Sequence, residues 1–214
     1  MKLYTYYRSS AAYRVRIALH CKGLDFESIP VHLLRGGGEQ KQPAYRDKHP
    51  LGLVPALESD AGVLTQSLAI MEWLEEVYPK PPLLPADAGA RAQVRALANT
   101  IACDIHPLNN LRVLNYLTQD LALSEAQKNQ WYRHWVHAGL LAVERLLEHS
   151  AAPGRYCWGD QVTLADCCLV PQVANAQRFD CPLDAMPHIL RINANCLALE
   201  AFQKAEPARQ PDAP

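Results

Sequence analysis

Leu3-Tyr-Thr-Tyr-Tyr7, followed by Arg8-Ser-Ser-Ala-Ala-Tyr-Arg-Val-Arg-Ile-Ala-Leu19, decides how the chain is to be read. The first five residues are aromatic-rich and few, as strand residues are. After Arg8 the period changes. Tyr13, Val15, Ile17, Ala18 and Leu19 fall at helical spacing and lead to Gly23, a fitting helix terminator. Residues 26–33 read as a second strand. Gly36-Gly37-Gly38 reads as a flexible loop, lacking the lysine and spacing of a phosphate loop, and 40–48 as a weak helix at most. Residues 54–57 and 62–64 read as two short strands joined at Ser59-Asp60. Ser67 then caps a helix carrying Ile70, Met71, Leu74, Val77 and Tyr78. The order βαβ then ββα predicts a small mixed sheet with helices.

Tyr78-Pro-Lys-Pro-Pro82, with Pro85 close behind, is a breaker cluster and the natural linker. Beyond it strand signals almost vanish. Val94, Leu97, Ile101, Ile105, Leu108 and Leu111 recur at three- and four-residue steps and mark one long helix, which Pro107 should kink. A second helix carries Trp131, Trp135, Ala138, Ala142 and Leu146. A third starts at Thr163-Leu-Ala-Asp166, a close variant of the capping box. The expected layout is an α/β domain over 1–80, an all-helical domain over 88–206, and an extended tail over 207–214.

The 214 residues are 49% hydrophobic and 20% charged, a globular composition, and the formal net charge is −1. No global field therefore draws the chain to nucleic acid or an anionic membrane, and an anion site must be a local cluster of arginines. No apolar run reaches the roughly 20 residues that span a bilayer. The N-terminus lacks the apolar run and cleavage site of a secretion signal. Seven cysteines without a C-x-x-C pair read as reduced, mostly buried thiols of a cytoplasmic protein. His134 and His137 lie three apart, but nothing nearby completes a metal set, so no metal is expected.

The chemistry concentrates where strands give way to helices. Arg8-Ser9-Ser10 opens the first helix, whose N-terminus presents orphan amides and about half a positive charge. A hydroxyl there can donate to a thiolate and help lower a thiol pKa from about 8.5 toward neutral. Serine in this place is equally an ordinary N-cap. Val54-Pro55 precedes a short strand. A cis bond there would free the valine backbone to pair with an extended peptide, although Pro55 could simply begin an edge strand. Gln66-Ser67 opens another helix, where donors could hold a carboxylate or merely cap. Asp104, His106, Asn109, Asn110 and Arg112 cluster around Pro107. Arg178 follows the helix begun at Thr163. Arginine suits bidentate capture of carboxylates and suits surface ion pairs as well.

Taken in order, these pieces resemble the glutathione transferase fold, a thioredoxin-like α/β domain followed by a helical bundle. Ser9-Ser-Ala-Ala-Tyr-Arg-Val-Arg-Ile-Ala-Leu19 is similar to the signature of its zeta class, the maleylacetoacetate isomerases. Val54-Pro55-Ala56-Leu57, Gln66-Ser-Leu-Ala-Ile70, Asp104-Ile-His-Pro-Leu-Asn-Asn-Leu-Arg112, Leu169-Val-Pro-Gln-Val-Ala-Asn-Ala176 and Arg209-Gln-Pro-Asp-Ala-Pro214 extend the resemblance over nearly the whole chain. The resemblance implies glutathione as cofactor, with Ser9 holding its sulfur and Ser10 beside the tripeptide. It implies that Gln40 and the Val54 backbone contact glutathione, with Pro55 cis, and that Gln66 and Ser67 hold its γ-glutamyl end. Asp104 would reach glutathione from the partner of a homodimer, while His106 and Asn110 line the site. Ala11 stands where many eukaryotic members carry a cysteine, which removes one possible thiol. Arg8, His106, Arg112 and Arg178 also resemble the set of bacterial maleylpyruvate isomerases, relatives in the same class.

The implied activity is conversion of maleylacetoacetate to fumarylacetoacetate. The thiolate adds to the cis double bond, the resulting single bond rotates, and the thiolate is expelled, with arginines gripping the carboxylates. Isomerisation of maleylpyruvate, glutathione transfer to small electrophiles such as α-haloacids, and a non-enzymatic interaction module are the alternatives.

Overall fold

The computed structural model describes every residue, Met1–Pro214. The chain divides into two compact units, one formed by Met1–Leu83 with Leu197–Pro214 and the other by Leu84–Cys196. Residues 197–206, assigned from sequence to the helical domain, therefore group with the first unit.

In the first unit, β1 (Lys2–Thr5) leads into α1 (Ser10–Cys21), β2 (Glu27–Pro30) and the short α2 (Pro43–Arg46). β3 (Ala56–Ser59), β4 (Gly62–Thr65) and α3 (Ser67–Val77) follow. The sheet order is β2-β1-β3-β4, with β1 and β2 parallel and the remaining pairs antiparallel. Leu3 lies opposite both Ser28 and Leu57. Leu3 and Leu57 are fully buried, as residues on the inner face of a central pair should be. α1 is buried along most of its length, Arg14 and Arg16 included, so it is a core helix rather than an amphipathic one. It ends as expected at Gly23, which takes φ +64.

Two local readings need correction. Ser67 does not cap α3. It is the first helical residue, and Gln66 precedes it at φ +70 without a side-chain cap bond. The Gly36–Gly38 loop is an ordered turn. Its glycines take φ +58, +82 and +106, values other residues rarely adopt. The turn closes on His32, whose N–H donates to Glu39 Oε2 at 2.7 Å and whose Nδ1 accepts from Arg35 N–H at 2.8 Å. The Pro-rich exit is pinned as well. Buried Lys22 Nζ meets Glu75 Oε2 at 2.8 Å and the carbonyls of Tyr78 and Pro81 at 2.7 and 3.0 Å. Glu75 Oε2 also accepts from Leu83 N–H at 2.9 Å.

The second unit is helical: α4 (Ala88–Asn99), α5 (Leu111–Asn115), α6 (Glu125–Glu148), α7 (Leu164–Arg178) and α8 (Pro187–Leu197). The expected long kinked helix is broken instead. After α4 come a π-helical segment over Thr100–Ile105 and a 3-10 turn over His106–Asn109, which contains Pro107. Asn110, extended at φ −66 and ψ 145, then caps a new helix. On α6 the period is right and the face is one residue out. The buried line is Tyr132, Val136, Leu140, Val143 and Leu147, whereas Trp135 and Leu146 are exposed. Two contacts draw that line inward. Tyr132 stacks on Phe179 at 3.7 Å, and buried Glu144 accepts the N–H groups of His188 and Ile189 at the start of α8. All seven cysteines are free thiols, five of them buried.

The chain then returns to the first unit as α9 (Glu200–Ala205), which packs on α1. The tail beyond it is not extended. Pro207–Arg209 is a 3-10 turn, and buried Gln210 donates to the carbonyls of Lys204 and Glu206 at 2.9 Å.

The cap at α7 meets the expectation. Fully buried Asp166 accepts from Thr163 N–H and Oγ1–H, both at 2.8 Å, and from Cys157 N–H at 2.8 Å. Its removal strands two buried amide donors and a hydroxyl. We expect Asp166→Ala to lower the unfolding free energy by about 3 kcal/mol. Urea denaturation followed by circular dichroism checks this, and a loss under about 1 kcal/mol would contradict it.

Candidate functional site

In the first unit, β1 ends in a tight turn in which Ser9 N–H donates to Tyr6 carbonyl at 2.9 Å. Ser9 then caps α1, its Oγ accepting from Ala12 N–H at 3.2 Å. A hydroxyl that caps as acceptor keeps its proton to donate elsewhere. Capping and ligand holding are thus compatible in one side chain. No acidic residue lies in the first turn of α1 to offset the field of the helix N-terminus. Arg8 is exposed beside Ser9, and Ser10 is buried as the first helical residue.

Of the other expected residues of this unit, Val54 lies nearest that turn. Tyr6 packs in one apolar cluster with Val31, Tyr45 and Val54, and Tyr7 and Leu33 lie against it. The Val54-Pro55 bond is cis. The β1–β3 ladder stops at Ala56, and no backbone bond elsewhere uses Val54, so its N–H and C=O are available to a ligand. Gln40 is buried. Its Nε2 reaches Leu33 carbonyl at 3.4 Å, and its Oε1 is buried with no donor. Ser67 Oγ accepts from buried Arg14 at 3.2 Å, which ties the start of α3 to the second turn of α1. Gln66 is exposed, held in a backbone conformation that costs a non-glycine residue about 1–3 kcal/mol and tends to occur at ligand sites. An orphaned amide oxygen, a free backbone pair and helix-start hydroxyls suit an extended peptide that carries a thiol and a carboxylate.

Burial pushes the Tyr6 phenol above its ordinary value, with Tyr7 adding to the effect. It pushes the Tyr45 phenol up as well, and Tyr45 donates to Leu53 carbonyl at 2.6 Å. Both rings stay protonated, so neither supplies a base to the turn.

In the second unit, Asp104 is exposed on the π-helical segment. Asn110 joins its neighbours on both sides: Nδ2 lies 3.3 Å from His106 Nε2, and Oδ1 accepts from Arg112 N–H at 3.1 Å. The turn that carries them is fixed to α6 by Trp131 Nε1–H donating to Leu108 carbonyl at 2.8 Å, and by Asn109 Nδ2 reaching Tyr132 carbonyl at 3.4 Å. Gly139 on α6 permits this closeness, since a Cβ there would lie 2.4 Å from Ile105 Cγ1. Arg112 is exposed. So is Arg178, which lies over the Phe179 ring at 4.9 Å and interacts with the phenol of Tyr132. Burial raises that phenol while Arg178 opposes the shift. An open groove of about 770 Å³ along α6, lined by Trp131, His134, Trp135 and Pro182 among others, contains none of the expected residues.

Several contributors were not foreseen. Gly38 and Gly52 cage Gln40: a Cβ on Gly38 would lie 2.6 Å from its Oε1, and one on Gly52 2.8 Å from its carbonyl oxygen. Buried Arg14 bonds Ser67, and buried Arg16 bonds the carbonyls of the turn before Ser9. The glycines had a signal in their turn-forming character, and the arginines had none. Gly52→Ala combines φ +61 with that close approach, whereas Gly36→Ala has φ +58 and open space. We expect Gly36→Ala to cost about 1 kcal/mol of stability and Gly52→Ala at least about 2. Equal losses in urea titrations would contradict the caged position of Gln40.

The chain is also similar to known proteins along its whole length. Residues 3–82 match the family described as glutathione S-transferase, N-terminal domain. The chain is 53% identical to the maleylacetoacetate isomerase of Pseudomonas aeruginosa, over all of this chain and 99% of that one. Among solved structures, the holo form of a maleylpyruvate isomerase, described as a bacterial zeta-class glutathione S-transferase, superposes with a TM-score of 0.96 at 50% identity over the full length of both. A maleylacetoacetate isomerase of Methylobacterium extorquens, solved with malonate and glutathione bound, gives 0.95 at 41% identity, again over both full chains. A four-stranded mixed sheet with α1 capped by Ser9, a helical second unit and these similarities place the chain in the zeta class of the glutathione transferase family.

Proposed function

We propose that this chain is a glutathione-dependent cis-trans isomerase that converts maleylacetoacetate to fumarylacetoacetate. The observation that carries the reading is the Ser9 cap, which uses the oxygen of the hydroxyl and leaves its proton to donate at a helix N-terminus. Bound glutathione supplies a thiolate that adds reversibly to the cis double bond and departs after rotation, so it is not consumed.

The chain's own residues do the rest. Ser9 Oγ–H and the first-turn amides of α1 hold the sulfur in its charged form. Ser10 lies beside the tripeptide. Gln40, through its orphaned Oε1, and the free backbone of Val54 take the peptide portion, while Pro55 fixes that edge. Gln66 and Ser67 hold the γ-glutamyl end. Arg8, Arg112 and Arg178 grip the substrate carboxylates and balance the negative charge that builds next to the attacked carbon. His106 and Asn110, held together at 3.3 Å, add polar contacts to the same ligands. Asp104 reaches the glutathione of the partner in a homodimer. The protein would work in the cytoplasm, where glutathione is abundant and thiols stay reduced.

Maleylpyruvate is the second reading. It is favoured by the full-length superposition on a maleylpyruvate isomerase and by the set Arg8, His106, Arg112 and Arg178. Both substrates are cis-enedioic acids, and a side-by-side assay of purified protein ranks them. With either one, we expect activity to fall to background when glutathione is removed, and the glutathione supplied to be recovered unchanged. Net consumption of glutathione would indicate a conjugating transferase instead. Ser9→Ala is expected to lower kcat about 100-fold while reducing stability by only about 1 kcal/mol. Comparable losses in both would assign Ser9 to capping alone.

A further inference from the structure

We infer that Asp212, in the segment that follows α9, is a positioning residue for Ser9. It acts by holding the backbone of the turn that presents the Ser9 hydroxyl. The inference rests on the proposed role of Ser9 in stabilising the glutathione thiolate.

The turn from Tyr6 to Ser9 has few polar backbone groups, and the structure ties each of those that matter. Ser9 N–H closes the turn on Tyr6 carbonyl at 2.9 Å. The guanidinium of fully buried Arg16 donates to the carbonyls of Tyr6 and Tyr7 at 3.4 and 3.1 Å. Tyr7 N–H faces away from the ladder and has no backbone acceptor. It donates to Asp212 Oδ2 at 2.9 Å, across 205 residues of sequence. A cation therefore holds the turn's carbonyls and an anion holds its amide.

The carboxylate is delivered by a built segment. Arg16 Nε–H donates to Ala205 carbonyl at 3.1 Å, so the same guanidinium that grips the turn also grips the end of α9. Gln210 then folds the tail back by bonding the carbonyls of Lys204 and Glu206. The second oxygen of Asp212, Oδ1, is buried without a donor. An anion placed where half its hydrogen-bonding capacity goes unused is costly to keep unless its other oxygen has a specific task. This one faces the backbone two residues before Ser9, and a small displacement of a donor at such a site loses much of its effect.

The test measures the ultraviolet thiolate absorbance of bound glutathione against pH in the full-length protein, for the unmodified chain, Asp212→Ala and Asp212→Asn. Asn keeps an acceptor oxygen for Tyr7 N–H and Ala does not. We expect Ala to raise the midpoint of the thiol titration by about one pH unit and to lower kcat roughly tenfold, with KM for glutathione changed less than about threefold. Asn should return both values to within about threefold of the unmodified protein. Exchange of the Tyr7 amide in glutathione-free protein should speed up in Ala and not in Asn. If Asp212→Ala fails to fold, Asp212→Glu replaces it, because the longer arm moves the carboxylate off the amide; a shift in the same direction is expected. Silence of the Ala or Glu variant in the thiol titration overturns the inference, and so does an Asn variant as impaired as Ala. The Ser9→Ala variant is titrated alongside. If it keeps the thiolate, the reading of Ser9 and this inference fall together. If it loses the thiolate while the Asp212 variants are silent, only this inference falls.

Discussion

The guanidinium of Arg16 is fully buried and meets four acceptors: Thr5 Oγ1 at 3.0 Å and the carbonyls of Tyr6, Tyr7 and Ala205. Taking such a charge out of water costs several kcal/mol unless its donors are satisfied. Burial lowers its pKa to about 10, with Tyr13 and Asp212 opposing the shift, so it stays charged at neutral pH. Through this one group the end of β1, the turn before Ser9, the middle of α1 and the end of α9 hold a common geometry. The backbone behind the Ser9 hydroxyl is held by hydrogen bonds from Arg16 and to Asp212, residues outside the turn itself.

The remainder of the first unit extends the same frame. Tyr6 carries it into the apolar cluster with Val54 and Tyr45, and Arg14 carries it from α1 to Ser67. Gln40 is held by the close approach of Gly38 and Gly52 and by its Nε2 reaching Leu33 carbonyl, while its buried amide oxygen has no donor. In the second unit the same principle appears with different parts. Trp131 and Asn109 fix a turn that helix geometry alone would not make, and His106 and Asn110 ride on it.

Much of this was legible in the residues. The change of period after Arg8 marked the strand-to-helix turn, and Thr163-x-x-Asp166 marked a cap whose hydrogen bonds are local. What could not be read depends on contacts between distant residues. The α6 lines through Trp131 and through Tyr132 both satisfy a helical period, and only the partners Phe179 and the α8 N-terminus choose between them. Pro107 signalled a kink, but the new cap at Asn110 turned that kink into a break. The tail read as extended because it has three prolines and little to bury. Its order comes from Gln210 and Asp212 bonding to backbone, which no composition reveals. Ser9, Ser10, Gln66 and Ser67 were visible as helix-start residues, whereas Gln40 came only with the family resemblance, and nothing local marked Arg16 as a buried anchor.

The proposed function depends above all on one hydrogen bond, from Ser9 to sulfur, at the start of α1. Titrating the thiol of glutathione bound to the unmodified protein, by its ultraviolet thiolate absorbance, tests that bond most directly. The bond requires a midpoint at or below about 7.5, against about 8.5 for an ordinary thiol. A bound thiol that titrates near 8.5 would contradict it.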